Sequence, residues 1–336
     1  MKFIPGPRRY ALTDMKTSNT GFTMDALKVH SRFLQSSSLV LALALWAPVA
    51  ASAADTGKTF ATPEEAVSAL VQATSAKSGL RAIFGPAAAE LQNPDRVQAT
   101  NEFNNFTAAL NETNRLVYES ATNCVLEVGA NFWPFPVPIV KKDGRWFFDT
   151  AAGKDEILSR RIGKNELAVL ASMRAYVDAQ RDYASRDRNG DEVLEYAQRL
   201  NSTPGTKDGL YWPPDLDGSI SPLGPLVADA QEEGYGIGVK GRDAKREPFH
   251  GYFFKILTRQ GKNAPGGKYD YIINGHMIGG FALVAWPAEY EDSGIMTFIV
   301  NQQGRVYQQD LGPKTEKLAS SMKVYDPDSN WTVSPD

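Results

Sequence analysis

The chain has 336 residues, a formal net charge of −3 and a single cysteine, Cys124. An acidic balance of this kind gives no general attraction for nucleic acid or anionic lipid, and one cysteine excludes an intramolecular disulfide framework. Stability must come from packing, over a length that suits about two domains.

Residues 1–53 read as an N-terminal extension and a leader. From Met24, Lys28 and Arg32 supply a basic start, residues 39–47 form an unbroken apolar run, Pro48 breaks it, and Ala51-Ser52-Ala53 offers small side chains for cleavage. That is the order of a secretory signal peptide, with an apolar run too short to cross a bilayer comfortably. Residues 1–23 hold Pro5, Pro7, Arg8 and Arg9 and no apolar core, so translation is expected to start at Met24. Cleavage near Ala53 would place a soluble, still more acidic protein in the periplasm or outside the cell, away from ATP and dinucleotide pools. No apolar run after residue 54 approaches membrane-spanning length, so no integral insertion of the mature chain is expected.

Residues 54–162 are expected to form a first domain. Thr62-Pro63-Glu64-Glu65 has the cap, the first-position proline and the returning glutamate of a helix start, and Ala66, Leu70 and Ala73 then share a face. A second helix is expected over residues 95–112, with Phe103, Phe106 and Leu110 on one side. The period then becomes strand-like over residues 116–126 and 132–140, the second carrying Pro134, Pro136 and Pro138 and therefore an edge or bulged strand. Lys142-Asp143-Gly144 reads as a turn, and residues 145–149 as a closing strand.

Residues 163–336 are expected to form a second domain. Leu167, Leu170, Met173 or Arg174, Val177, Gln180 or Arg181, and Ala184 predict a long helix. A loop at residues 187–191, a short helix around residues 193–200 and an irregular stretch at residues 203–225 come next. Strands are expected at residues 251–258, 269–273, 281–286, 295–300 and 305–309, with Asn274-Gly275 as a hairpin turn. The fold class is thus α+β, helices and antiparallel sheet in each unit.

Several segments, among them Phe135-Pro136-Val137-Pro138, Trp146-Phe147-Phe148-Asp149-Thr150, Arg160-Arg161-Ile162-Gly163, Gly209-Leu210-Tyr211-Trp212 and His250-Gly251-Tyr252, resemble a family of exported bacterial proteins catalogued as domain of unknown function 2950. The resemblance covers the whole mature chain and brings no activity or site with it. Residues 58–160, helices followed by a sheet whose last strand ends Trp146-x-Phe148, resemble the cone-shaped NTF2-like fold. Residues 164–312, a long helix and then a meander, resemble the globular part of type IV pilins and type II secretion pseudopilins. The long apolar N-terminal helix that defines a pilin is missing: Gly21-Phe22-Thr23-Met24 looks like a prepilin cleavage site, but Lys28, His30 and Arg32 interrupt the apolar helix that a prepilin needs after it.

Candidate functional residues are few. Asp187, Asn189 and Asp191 alternate oxygen donors like the start of a calcium loop, although Glu192 and Gln198 stand where a full loop needs glycine and glutamate; a weak calcium site is the sole cofactor candidate. Neither His250 nor His276 has a second ligand two to four residues away, so no zinc site is read. Gly236–Gly241 spells GxGxxG without the flanking strand and helix that would give it meaning. Asp149, Asp155, Glu156, Arg160 and Arg161 read as a salt-bridged junction between the two domains. Trp133 and Trp146 are candidates to line an NTF2-like pocket, and Tyr211 with Trp212 for an exposed partner-binding loop. With no recognisable catalytic set, the first reading is a non-enzymatic envelope protein that meets another envelope protein or a cell-surface component. A small-molecule binder or unusual enzyme using the cone, and a filament subunit, are the alternatives.

Overall fold

The computed structural model describes residues 57–214, 218–235 and 248–335, with only the backbone at residues 90 and 91. The leader, the GxGxxG stretch and the candidate prepilin site lie outside the described residues.

The first helix, α1 (Pro63–Ser75), starts as its sequence dictates. Thr62 Oγ1 accepts from Glu65 N at 3.2 Å, and Glu65 returns a carboxylate oxygen to Ala61 N at 2.9 Å. A short turn, α2 (Leu80–Phe84), leads to α3 (Arg96–Glu112), whose N-cap Asp95 accepts from the backbone N–H of Val97 and Gln98. The strand expected over residues 116–126 is instead a hairpin, β1 (Asn114–Ser120) and β2 (Asn123–Val128), turning at residues 121–122. The proline-rich run is cut in two. Trp133–Pro134 (β3) pairs with β2, and pairing resumes only after the last proline, in β4 (Ile139–Lys142). Asp143 and Gly144, at φ 51° and 79°, make the turn into β5 (Arg145–Phe148), against whose outer edge Phe60 forms a two-bond bridge with Trp146.

α1 lies on this sheet and fills the first core with Ala66, Leu70 and Ala73 against Leu110, Leu126, Ile139 and Phe148. Cys124 is wholly buried there, and burial pushes its thiol up to about 11, so the inert thiol expected from its apolar neighbours is what the fold contains.

The long helix runs farther than its apolar period indicates. α4 (Thr150–Ala184) is 35 residues long, begins at the N-cap Asp149, and passes unbroken through residues 162 and 163, the sequence-based boundary. Its first turns pack closely on the first sheet: a Cβ at Gly153 would stand 2.9 Å from Pro136 O and Val137 Cα. Its second half enters the other core through Val169, Leu170, Met173, Tyr176 and Val177, whereas Leu167, expected on that face, is 70 % exposed. Gln180 is fully buried by satisfying both ends of its amide, on Ala197 N and O and on the Tyr176 hydroxyl.

No helix forms at residues 193–200; that segment is extended and hydrogen-bonded to residues 275–277. After α5 (Gly224–Glu232) come β6 (Tyr252–Leu257), β7 (Arg259–Gln260), β8 (Tyr269–Asp270), β9 (Ile272–Ile273), β10 (His276–Met277) and β11 (Ala282–Pro287). Then come β12 (Met296–Asn301), β13 (Tyr307–Asp310), α6 (Thr315–Ser321), β14 (Val324–Tyr325) and β15 (Thr332–Val333). The main sheet has the antiparallel order β15-β13-β12-β11-β6, and every residue of its inner strand β11 is buried. Asn274 and Gly275, at φ 53° and 91°, form the expected hairpin turn between β9 and β10. The class is α+β.

A seam of buried polar groups joins the two cores. Asn165, midway along α4 and fully buried, donates Nδ2 to Ser293 O at 2.8 Å and accepts from Gln98 Nε2 at 2.8 Å. Asn165→Ala would strand both partners without water, and is expected to lower unfolding free energy by about 1–3 kcal/mol. Urea denaturation reads this directly; a midpoint equal to wild type would show that the seam contributes nothing.

Candidate functional site

Between α3, the β3 strap and α4 the first core is not filled. A cavity of about 760 Å³ remains there, within the range of small-molecule sites. α3 sends Ala99, Glu102 and Phe106 into it, the strap sends Trp133 and Phe135, and α4 sends Ile157, Arg160, Arg161 and Lys164. The α4 residues keep the three- and four-residue spacing of one helix face. Phe106 and Phe135 stack at 4.9 Å between centroids, and Phe135 meets Phe84 and Phe148 behind them, so the wall is continuous with the core.

The cations are positioned rather than loose. Arg160 donates to Glu156 at 2.6 Å and to Pro134 O at 2.8 Å, with its guanidinium 4.9 Å from the Trp133 ring. Lys164 Nζ lies 3.0 Å from Glu102 Oε1. Arg161, 5 % exposed, reaches Gln92 O and pairs with Asp292 from the far half of the chain. Three cations and one carboxylate, that of Glu102, line the cavity. Its lining contains no histidine, cysteine, serine or threonine among the described residues.

Trp133 and Trp146 are not brought together. Trp133 is 43 % exposed and lines the cavity; Trp146 is buried in the first core, bridged to Phe60, and does not line it. Of the five junction residues, Arg161 spans the two halves, Arg160 pairs with Glu156 one helical turn away, Asp149 caps α4, and Asp155 is exposed. The loop expected to expose aromatic side chains does not do so at Trp212, which is 1 % exposed, donates its indole N–H to Ser219 and lies beneath Arg188 and Lys207; Tyr211 packs against the same core.

Asp187, Asn189 and Asp191 hydrogen-bond within their own turn. Asp187 closes its own turn, accepting from the backbone N–H of Asn189, Gly190 and Glu192, which holds its carboxyl below the usual range. Asp191 faces Glu195 and His276 instead, at a second recess of about 330 Å³. Glu195 was hidden from sequence reasoning because its partner His276 lies in a distant hairpin; only the i, i+4 spacing of Asp191 and Glu195 hinted at a shared direction.

The chain matches the model of a family described as Protein of unknown function (DUF2950) over residues 57–333. It belongs to that family. No curated protein and no solved structure matches the chain. In this member of the family, a second buried group of polar residues lies at the start of α3. Asp95, the α3 N-cap, accepts from the Tyr235 hydroxyl at 2.6 Å and from Gly251 N, and His250 lies against Tyr235 and Phe249 with Nε2 3.6 Å from Glu233.

Burial holds the His250 imidazole below its ordinary range, outweighing the opposite pull of Glu233 and Asp95, while Lys164 adds to the lowering. The unfolded chain therefore binds more protons than the folded one between that lowered value and about pH 6.5, so this residue makes stability rise with pH through that window and adds no slope above it. His250 sits at φ 48°, which asparagine tolerates. His250→Asn is expected to flatten the rise of the urea midpoint with pH below about pH 6.5 and to leave the profile above it unchanged; a profile parallel to wild type below that pH would refute the assignment.

Proposed function

We propose that the protein is an exported, non-enzymatic binding protein whose cavity takes a small molecule with an apolar, aromatic-sized body and an anionic group. The observation that carries this is a lining that combines the aromatic side chains Phe106, Trp133 and Phe135 with Arg160, Arg161 and Lys164 from α4. An apolar body gains from leaving water for such a wall, and an anion gains from cations whose surroundings are partly dry. Arg160 and Arg161 are already fixed by hydrogen bonds to the carbonyls of Pro134 and Gln92, so little ordering is required of them when a ligand enters. Export, which the leader-like residues 24–53 suggest, would place this site where it meets molecules from outside the cytoplasm. The family membership is compatible with this role and does not specify it.

This reading displaces assembly through an exposed aromatic loop, since Trp212 belongs to the core. The helices over an antiparallel sheet that suggested an NTF2-like cone support a pocket in this position.

Two fluorescent probes of similar body test the proposal, the anionic 1-anilinonaphthalene-8-sulfonate and the neutral N-phenyl-1-naphthylamine. Both should bind the folded chain, and Ala99→Trp, which fills the cavity from α3, should abolish both signals without lowering the melting temperature. Lys164→Met should weaken the sulfonate by about 1.5- to 5-fold, the scale of one partly exposed charge pair, and leave the neutral probe unchanged. Binding that survives Ala99→Trp, or a chain that takes neither probe, would remove the cavity as the site.

A further inference from the structure

The second recess lies at the opposite end of α4, where the helix gives way to the Asp187 turn. Two separate pieces of chain meet there. Residues 191–198 run beside the tip of the β9–β10 hairpin, with Tyr196 N donating to Met277 O at 2.8 Å and Gln198 Nε2 to Gly275 O at 2.7 Å. These bonds set His276 against Asp191 and Glu195, and one ligand atom from each of the three lies within 4.8 Å of the other two.

The spacing is informative. His276 Nδ1 is 3.4 Å from Asp191 Oδ2 and 3.4 Å from Glu195 Oε2. That is too long for a charge-assisted hydrogen bond, and the ring nitrogen, screened from solvent, has no hydrogen-bond partner. A tetrahedral ion bound at 2.0–2.1 Å holds neighbouring ligand atoms about 3.3–3.4 Å apart. Both edges from the imidazole match that separation, and the two carboxylate oxygens lie within 4.8 Å of each other.

The surroundings also fit a cation. Glu195 is only 11 % exposed in its side chain. Its carboxylate is oriented by Met277 N, that of Asp191 by Val193 N, and the Asn189 amide donates to both, at 2.9 and 2.7 Å. Such outer contacts are what fix the aim of metal ligands. The recess contains Asp191, Glu195 and Asp208 against the single cation Arg199, which is itself paired with Asp208 at 3.6 Å. One imidazole and two carboxylates suit a first-row divalent transition ion, whereas calcium takes six to eight oxygens and no imidazole.

We propose that Asp191, Glu195 and His276 bind one divalent transition-metal ion of the zinc type, with a fourth position open to the recess. The ion would tie the hairpin to the end of α4. Its three protein ligands match the open count seen where a metal also holds water or a small ligand.

The test is calorimetric titration of the chelator-dialysed full chain with zinc chloride and, separately, calcium chloride. One zinc per chain is expected, bound at least ~10-fold more tightly than calcium and weakened at least ~10-fold by His276→Gln, Glu195→Gln or Asp191→Asn, the scale on which such sites respond to lost ligands and their supports. Asp191→Asn keeps an acceptor for Val193 N and alters a residue at the recess mouth, so a folded variant is secured, as the metal-free melting temperature will show. The cobalt form should display intense visible d–d bands that vanish in His276→Gln. Zinc that fails to bind, zinc affinity unchanged in these variants, or calcium bound more tightly than zinc would each overturn the assignment.

Discussion

Asn165 has to find a partner for each end of its amide at a point where no water reaches it. It lies midway along a helix of 35 residues, too long to belong to one core alone. Gln98 from the first half of the chain and the Ser293 carbonyl from the second supply those partners. Because a buried amide left unpaired costs more than a made bond returns, both halves are held at one rotation of α4. Gly251 completes the constraint: a Cβ there would stand 2.6 Å from Asn165 Nδ2, and its φ of 71° is one that glycine adopts without strain.

The cavity is a consequence of that rotation. With Asn165 turned toward Gln98 and Ser293, residues 157, 160, 161 and 164 occupy the adjoining face of α4 and look toward α3. α3 meets them with Phe106 and Ala99 rather than with large side chains that would close the gap, and of its 17 residues only Gln98 and Leu110 are buried. An apolar stripe with no packing partner is unusual in a settled core. The prolines bear on this wall: they interrupt the ladder between β3, which pairs with β2, and β4, so the strap carrying Trp133 and Phe135 is an irregular edge and not a continuous strand.

Local chemistry in the sequence was enough to place what depends on neighbours within a few residues. The Thr62 cap, the Asp143-Gly144 turn, the Asn274-Gly275 hairpin and the apolar β11 all stand where their residues put them. What failed to show was decided at long range. The early half of α4 carries Arg160, Arg161 and Lys164 where an apolar face would be read, because it packs against a cavity and an ion pair instead of a core. Trp212 looked exposed beside Pro213 and Pro214, yet the core receives it and its indole finds Ser219. The segment at residues 193–200 has helical spacing but takes its hydrogen bonds from a hairpin some 80 residues on, and no local pattern announces that.

The same limit explains the two sites. A cavity is the absence of side chains, and only packing reveals it; the aromatic residues around it would read identically in a filled core. The Asp191–Glu195–His276 group is a meeting of two turns, each legible alone. The Asp187 turn is built by side-chain-to-backbone bonds and the hairpin by residues that accept positive φ. Their encounter depends on Gln180, which is buried in α4 and bonded to both N–H and carbonyl of Ala197, two residues beyond Glu195. α4 therefore bears on both candidate sites: Asn165 sets the face it shows to the cavity, and Gln180 helps set where the chain that leaves it meets His276.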